Sequence, residues 1–160
     1  LIFGAASYTD HLDGKLARKN GQITTFGQFM DPLADKILVI SALVCFVSLE
    51  LAPVWMVLLI VAREFMVTSI RLIAAEGGMV LAANNWGKAK TVSQIVALVA
   101  VFLFEYIREL SSMGYFALPA ELEAVFSGAE WGLLLLSTIL AVVSGGVYLF
   151  QNFHILKHTK

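Results

Sequence analysis

The sequence predicts an all-α fold, a bundle of helices that cross a membrane. Of the 160 residues, 59% are hydrophobic and only 14% are charged, whereas a soluble domain is about half apolar and about a quarter charged. The apolar residues form runs long enough to cross, as helices, a hydrocarbon core about 30 Å thick. Trp55, Trp86 and Trp131 each lie near the start of such a run, where tryptophans meet the membrane interface.

Five apolar segments are candidates for membrane-spanning helices. In chain order they cover residues 1–18, 27–51, 53–75, 86–109 and 130–153. Pro53 opens the third segment, and proline is tolerated in the first turn of a helix. The first segment has a short apolar part and begins without Met, so we expect an N-terminal truncation that removes a preceding helix.

The start of the second segment has two interpretations. Thr25 and Gln28 match a capping box, which would place Pro32 inside the helix and remove a backbone hydrogen bond. Alternatively, the regular helix begins near Asp31 and has Pro32 in its first turn. Both interpretations place Asp31 and Asp35 on one helical face, one turn apart.

The distribution of basic residues predicts how these segments are oriented. Lys and Arg residues flank the first link, the third link and the C-terminal tail: Lys15, Arg18, Lys19, Lys88, Lys90, Lys157 and Lys160. The links around residues 50–53 and 110–129 contain none. By the positive-inside rule, the basic links and the tail face the cytoplasm, and this parity predicts six helices in all. The net charge of −1 gives no indication of nucleic-acid binding.

Two aspartate pairs lie within or beside the first two segments. Asp10 and Asp13 are three residues apart, and Asp31 and Asp35 are four apart, so each pair shares a helical face. Carboxylates near a lipid-buried helix are costly and indicate a functional site. Mg²⁺ and Mn²⁺ prefer carboxylate oxygens, and two such ions can stabilise both oxygens of a phosphoryl-type displacement. The spacing therefore predicts a site for hard divalent cations.

Small and basic residues accompany these aspartates. Gly14 and Gly27 flank the two pairs and would let a large headgroup approach the backbone, although small residues also favour close helix packing. Arg18 follows Asp13 by five residues and could bind a phosphate. A lipid-facing arginine that reaches toward the interface is the alternative.

Together these residues match the signature of the CDP-alcohol phosphotransferases. All eight fixed positions are filled without a gap: Asp10, Asp13, Gly14, Ala17, Arg18, Gly27, Asp31 and Asp35. The resemblance implies a single six-helix membrane domain over residues 1–160, usually dimeric, that moves a CDP-linked group onto a second alcohol and releases CMP. It implies that Asp10, Asp13 and Asp31 bind two Mg²⁺ or Mn²⁺ ions. Asp35 would also border the metals and act as general base, while Gly14, Ala17, Arg18 and Gly27 would line the CDP site.

A second group of charged residues lies in the third segment and just after it. Arg63 and Arg71 are eight residues apart, hence on roughly one helical face, and Glu64 is positioned to pair with a neighbouring cation. Lys88 and Lys90 open the fourth segment. We expect these cations to form a basic pocket suited to an acceptor that carries its own phosphate. Ordinary positive-inside flanking is the alternative.

The pattern of these residues resembles the phosphatidylglycerophosphate synthases within that family. It implies CDP-diacylglycerol as donor and sn-glycerol 3-phosphate as acceptor, with phosphatidylglycerol phosphate and CMP as products. It also implies an integral protein of the bacterial cell membrane with its active site facing the cytoplasm.

Three other functions stay open on the sequence alone. The first is a transferase of the same family with another acceptor, such as inositol phosphate or phosphatidylglycerol. The second is a membrane prenyltransferase, which also places aspartate pairs over magnesium and pyrophosphate. The third is a divalent-cation transporter, in which the carboxylates would be ion ligands.

Overall fold

The computed structural model is built from α-helices in the part of the chain that it describes, which comprises residues 9, 25–76, 81 and 85–157. Four helices follow one another in chain order: α1 (Thr25–Ser48), α2 (Val54–Glu76), α3 (Asn85–Ser112) and α4 (Ala120–Lys157). They correspond to the second to fifth predicted segments, which confirms the all-α fold class. The first predicted segment, residues 1–18, lies outside the described residues.

Two of the described helices are long and apolar enough to cross a membrane, namely α3 and residues 120–153 of α4. The apolar part of α1 is shorter and covers Lys36–Ser48. Helix α2 has 23 residues, the length of a span, but its apolar run is interrupted by Arg63, Glu64 and Arg71. Charged residues inside an otherwise apolar helix need partners within the protein.

Helix α1 begins at Thr25, so Pro32 lies inside it. This start agrees with the capping-box interpretation to within the one or two residues by which helix boundaries vary. Asp31 and Asp35 both belong to α1, and four residues correspond to about one turn. The local helix therefore gives these two positions the spacing that the sequence predicts.

The link between α3 and α4 is closed by local hydrogen bonds. Gly114 has a φ of 85°, and its N–H donates to the Ser111 carbonyl at 3.0 Å. The Tyr115 N–H donates to the Leu110 carbonyl at 3.2 Å, which completes a Schellman motif. The Ser111 hydroxyl also accepts the Leu118 N–H at 3.1 Å, and this bond holds the link against the end of α3.

Helix α4 begins at Ala120, earlier than the predicted start near Glu130. The Pro119 carbonyl accepts the first helical N–H groups, from Leu122 at 3.0 Å and Glu123 at 3.1 Å. Acidic side chains in the first turn favour the positive end of the helix dipole. The residues before Glu130 are too polar to extend an apolar run, but they extend the helix.

The chain divides into two compact units between Phe46 and Val47. In the second unit, α4 packs against both α2 and α3. The buried residues of α4 recur about once per helical turn and form one stripe: Leu134, Ser137, Thr138, Ala141, Ser144 and Tyr148. Small side chains in this stripe let neighbouring helix backbones approach closely.

A buried ion pair joins α3 to α4 near the link between them. Arg108 donates from Nη1 to Glu130 Oε1 at 2.8 Å and from Nη2 to Glu130 Oε2 at 3.0 Å. Arg108 also pairs with Glu105 one turn earlier and donates to the Ser127 hydroxyl at 3.0 Å. The Glu130 side chain is only 5% exposed. The bidentate hydrogen bond from Arg108 therefore compensates the charge of a carboxylate that water cannot solvate.

Removal of the Arg108 side chain should destabilise the α3–α4 contact. Breaking a buried ion pair by removing one member costs about 3–5 kcal/mol. We therefore expect Arg108→Ala to lower the free energy of unfolding by about 3 kcal/mol, because Glu130 then stays buried without its partner. Unfolding of the purified protein in detergent, followed by circular dichroism, measures the change.

The double variant Arg108→Ala/Glu130→Ala should be less destabilised than the sum of the two single variants, because it leaves no unpaired charge. Glu123→Ala, which changes an exposed carboxylate on the same helix, is the matched control and should have little effect on unfolding. If the loss of unfolding free energy in the double variant equals the sum of the two single losses, the two residues are not coupled.

Candidate active site

The aspartate signature lies in a part of the chain that the structure describes only partly. Helix α1 contains Gly27, Asp31 and Asp35, and the last two lie one turn apart. The other five signature residues lie outside the described residues: Asp10, Asp13, Gly14, Ala17 and Arg18. Two carboxylates at this spacing are a donor set that suits Mg²⁺ or Mn²⁺. The metal site stays a prediction.

Among the described side chains, no group of three or more His, Cys, Asp or Glu residues is placed to hold a metal ion. The four aspartates of the signature are not among those side chains. The described part of the second unit instead concentrates cations, and these occupy the contact between α2, α3 and α4.

Glu64 is the centre of that cationic group. Its Oε1 accepts a hydrogen bond from Arg63 Nη1 at 2.8 Å, and the same oxygen accepts one from Lys90 Nζ. The side chains of Arg63, Glu64 and Lys90 are 11%, 17% and 4% exposed. The predicted pairing of Glu64 with a neighbouring cation is confirmed. Two cations thus contact the same carboxylate oxygen.

The sharing of Glu64 explains how Lys90 can be buried. An ammonium group that leaves water without a partner is strongly disfavoured. Here the partner comes from a different helix, since Glu64 lies on α2 and Lys90 on α3. The ion pair therefore sets the register between these two helices as well as compensating the charge.

Helix α4 holds Arg63 from its other side. The Arg63 Nε donates to the Ser144 hydroxyl at 3.2 Å, and that hydroxyl donates to the Ala141 carbonyl at 3.1 Å. Next to Ser144, a Cβ added to Gly145 would lie only 2.8 Å from Arg63 Cγ and 3.1 Å from Met66 Cε. The absence of a side chain at Gly145 is therefore what lets α4 lie against the stem of Arg63.

Arg71 has a different environment, two turns further along α2. Its Nε donates to the Tyr148 hydroxyl at 3.2 Å, and its Cζ lies 5.5 Å from the centroid of the Tyr148 ring. This distance allows a cation–π contribution. Tyr148 is only 3% exposed, whereas Arg71 is exposed. Arg71 therefore contacts the buried ring of Tyr148, and its guanidinium lies at the protein surface.

The structure places the four predicted cations in different environments. Arg63 and Lys90 meet at Glu64, and Arg71 follows Arg63 on α2. Lys88 is exposed whereas Lys90 is buried, because residues two apart on a helix point away from one another. The contribution of each cation to ligand binding stays a prediction.

Sequence reasoning missed two residues of α4 that accept hydrogen bonds from the arginines of α2. It assigned the last segment from hydropathy alone. The structure adds hydrogen bonds from Arg63 to Ser144 and from Arg71 to Tyr148. The signal was present, since two hydroxyl residues four positions apart interrupt an apolar helix and so face the same neighbour.

Comparisons with known proteins identify the family of the chain. A sequence profile of the CDP-alcohol phosphatidyltransferase family matches residues 1–143. The chain is similar to the CDP-diacylglycerol–glycerol-3-phosphate 3-phosphatidyltransferase of Bacillus subtilis, with 44% identity over 98% of this chain and 74% of that protein.

Proteins of the same name from two other bacteria are also similar. The identity is 33% for Mycoplasma pneumoniae, over 83% of this chain and 63% of that protein. It is 43% for Haemophilus influenzae, over 61% of this chain and 55% of that protein. The chain thus spans about three quarters of the Bacillus protein and about half to two thirds of these two.

The close approach at Gly145 gives a test of the α2–α4 contact. Gly145→Ala should lower the free energy of unfolding by about 1–3 kcal/mol, the usual cost of overpacking, because the added Cβ must displace Arg63 Cγ. Thermal unfolding in detergent measures this change.

Gly146→Ala is the matched control, since a Cβ there meets nothing within 4 Å. It should leave stability unchanged or raise it by up to about 1 kcal/mol, because alanine favours a helix more than glycine does. Equal effects of the two substitutions would contradict the assigned contact.

Proposed function

Because the chain belongs to the CDP-alcohol phosphatidyltransferase family, we propose that it transfers the phosphatidyl group of CDP-diacylglycerol to sn-glycerol 3-phosphate. The products are phosphatidylglycerol phosphate and CMP. The observation that carries this proposal is the 44% identity to the Bacillus subtilis protein of that activity over 98% of the chain. An integral membrane protein suits a lipid donor, and two of the described helices can cross a bilayer.

In this proposal the signature residues bind the donor. Asp10, Asp13, Asp31 and Asp35 hold two divalent cations, Mg²⁺ or Mn²⁺, which when bound neutralise charge on the pyrophosphate of the donor. Spacing supports the assignment, since Asp31 and Asp35 lie one turn apart on α1. The CDP moiety contacts the remaining signature residues: Gly14, Ala17, Arg18 and Gly27.

The cations of α2 and α3 recognise the phosphate of glycerol 3-phosphate. The supporting observation is that two cations from different helices, Arg63 of α2 and Lys90 of α3, meet at Glu64. Arg71 is exposed, and Lys88 adds a further exposed cation at the start of α3.

The reaction is a direct displacement at the phosphatidyl phosphorus. The hydroxyl oxygen of the acceptor forms a bond to that phosphorus, and its proton passes to the Asp35 carboxylate, which acts as general base. The bond from phosphorus to the CMP oxygen breaks, and CMP leaves with the electron pair of that bond. Arg18 stabilises the negative charge that grows on the departing phosphate.

Two further features belong to the proposal. The site faces the cytoplasm, which is supported by the lysines in the third link and the tail. The protein acts as a homodimer in a lipid bilayer, as the family resemblance implies.

An acceptor panel tests the proposed reaction. Full-length protein in detergent micelles with CDP-diacylglycerol should release CMP when glycerol 3-phosphate is added. Free glycerol, inositol 1-phosphate and phosphatidylglycerol should release much less, because only glycerol 3-phosphate combines the expected hydroxyl and phosphate. CMP is quantified by chromatography and the lipid product by mass spectrometry.

A reaction without acceptor is the control for hydrolysis of the donor. Faster CMP release with inositol 1-phosphate or phosphatidylglycerol would assign a different acceptor. Absence of CMP release with every acceptor would reject the transferase.

Metal removal tests the role of the aspartates. A chelator should abolish CMP release, and excess Mg²⁺ or Mn²⁺ should restore it in the wild type. Asp35→Asn should stay inactive after metal is added back, with turnover lowered about 100-fold or more, because an amide cannot accept the proton. Unchanged thermal unfolding shows that the variant is folded.

Glu123→Gln, an exposed carboxylate variant, is the control and should behave as wild type. Full activity in the presence of chelator would contradict the metal assignment, and near-normal turnover of Asp35→Asn would remove Asp35 as the base.

A further inference from the structure

Tyr148 combines a buried ring with a polar contact to an exposed cation. The ring belongs to a cluster with Val67 and Ile70 of α2, and the residue is only 3% exposed. Its hydroxyl accepts the hydrogen bond from Arg71 Nε at 3.2 Å. Packing of the ring would be equally good for phenylalanine, so the hydroxyl requires a separate explanation.

The hydroxyl is one of two on α4 that meet arginines of α2 in the same way. Ser144 accepts from the Nε of Arg63, and Tyr148, one turn later, accepts from the Nε of Arg71. The Nε contact fixes the plane of a guanidinium while leaving its two terminal nitrogens to bind something else. A helix that seemed to contribute only apolar packing thus orients both arginines.

The two arginines differ in what their terminal nitrogens meet. Nη1 of Arg63 donates to Glu64 at 2.8 Å, so part of its fork is occupied by a carboxylate. Among the residues that the structure describes, the only ion pairs of α2 involve Glu64, and Arg71 is not in them. Arg71 therefore presents an uncompensated charge and an open fork, the arrangement that binds a phosphate through two parallel hydrogen bonds.

We infer that Tyr148 is a positioning residue that orients the Arg71 guanidinium toward the phosphate of the acceptor, an inference that rests on the proposed function. The hydroxyl holds Nε, and the ring supports the guanidinium at a Cζ–centroid distance of 5.5 Å. Rotation of Arg71 is restricted before the ligand arrives, so less conformational freedom is lost on binding. Phosphate recognition then depends on α4 as well as on α2.

A merely structural Tyr148 and a positioning Tyr148 predict different kinetics. Tyr148→Phe keeps the ring and removes only the acceptor oxygen. If Tyr148 orients Arg71, the KM for glycerol 3-phosphate should rise about 10- to 150-fold, the range expected for one hydrogen bond to a charged group. The KM for CDP-diacylglycerol, the kcat and the unfolding temperature should stay near their wild-type values.

A double-mutant cycle tests whether Tyr148 acts through Arg71. Arg71→Ala alone should raise the KM for glycerol 3-phosphate more than Tyr148→Phe does. Adding Tyr148→Phe to Arg71→Ala should then change nothing further, because the hydrogen bond is already absent. Stabilisation against thermal unfolding by added glycerol 3-phosphate gives a second measurement that needs no turnover. That shift should be largest in the wild type, smaller in Tyr148→Phe and smallest in Arg71→Ala.

Tyr106→Phe is the matched control, since Tyr106 is 56% exposed on α3, and it should match the wild type in both measurements. The inference is overturned if Tyr148→Phe raises the KM values of donor and acceptor equally, or if its effect persists undiminished in the Arg71→Ala background. It is also overturned if Tyr148→Phe leaves an active enzyme unchanged. Wild-type protein that releases no CMP with glycerol 3-phosphate would instead reject the proposed function.

Discussion

The second unit depends on the ion pairs of the partly buried Glu64 carboxylate. This carboxylate accepts hydrogen bonds from Arg63 of its own helix and from Lys90 of α3, and Arg63 in turn donates to Ser144 of α4. Three helices are thus joined through one carboxylate and its partners. Charges with so little exposure to water are tolerated only when they are paired, so a shift in helix register would separate these charges from their present partners.

Helix α4 complements this ionic group in two ways. Its small residues allow close approach, most clearly at Gly145, where Arg63 occupies the space a side chain would need. Its hydroxyls then accept hydrogen bonds from the two arginines of α2. At the other end of the helix, Glu130 compensates Arg108. Apolar packing alone would hold α4 in place but would not orient the arginines, whereas directional hydrogen bonds do both.

Much of the fold was predictable because a membrane restricts the possibilities to long helices. The second, third and fourth apolar segments correspond closely to α1, α2 and α3. The start of α4 was wrong, because the prediction followed hydropathy, and the residues from Ala120 onward are good helix formers that are too polar for an apolar run. The contacts of the charged residues inside α2 were not predictable for a similar reason. The sequence of this segment shows that Arg63 and Glu64 lower its hydropathy, but it does not show their partners on α3 and α4.

The sequence by itself determined the all-α class, the order of the helices and the family, because these follow from apolar run lengths and from eight residues at fixed spacing. It also identified Arg63, Arg71, Lys88 and Lys90 as a group of cations. Only the tertiary structure decided how they differ. Arg63 and Lys90 both pair with Glu64, whereas Arg71 donates a hydrogen bond to Tyr148. The reason is physical: these partners lie 26 and 77 residues away in the chain, and only helix packing brings them within hydrogen-bonding distance.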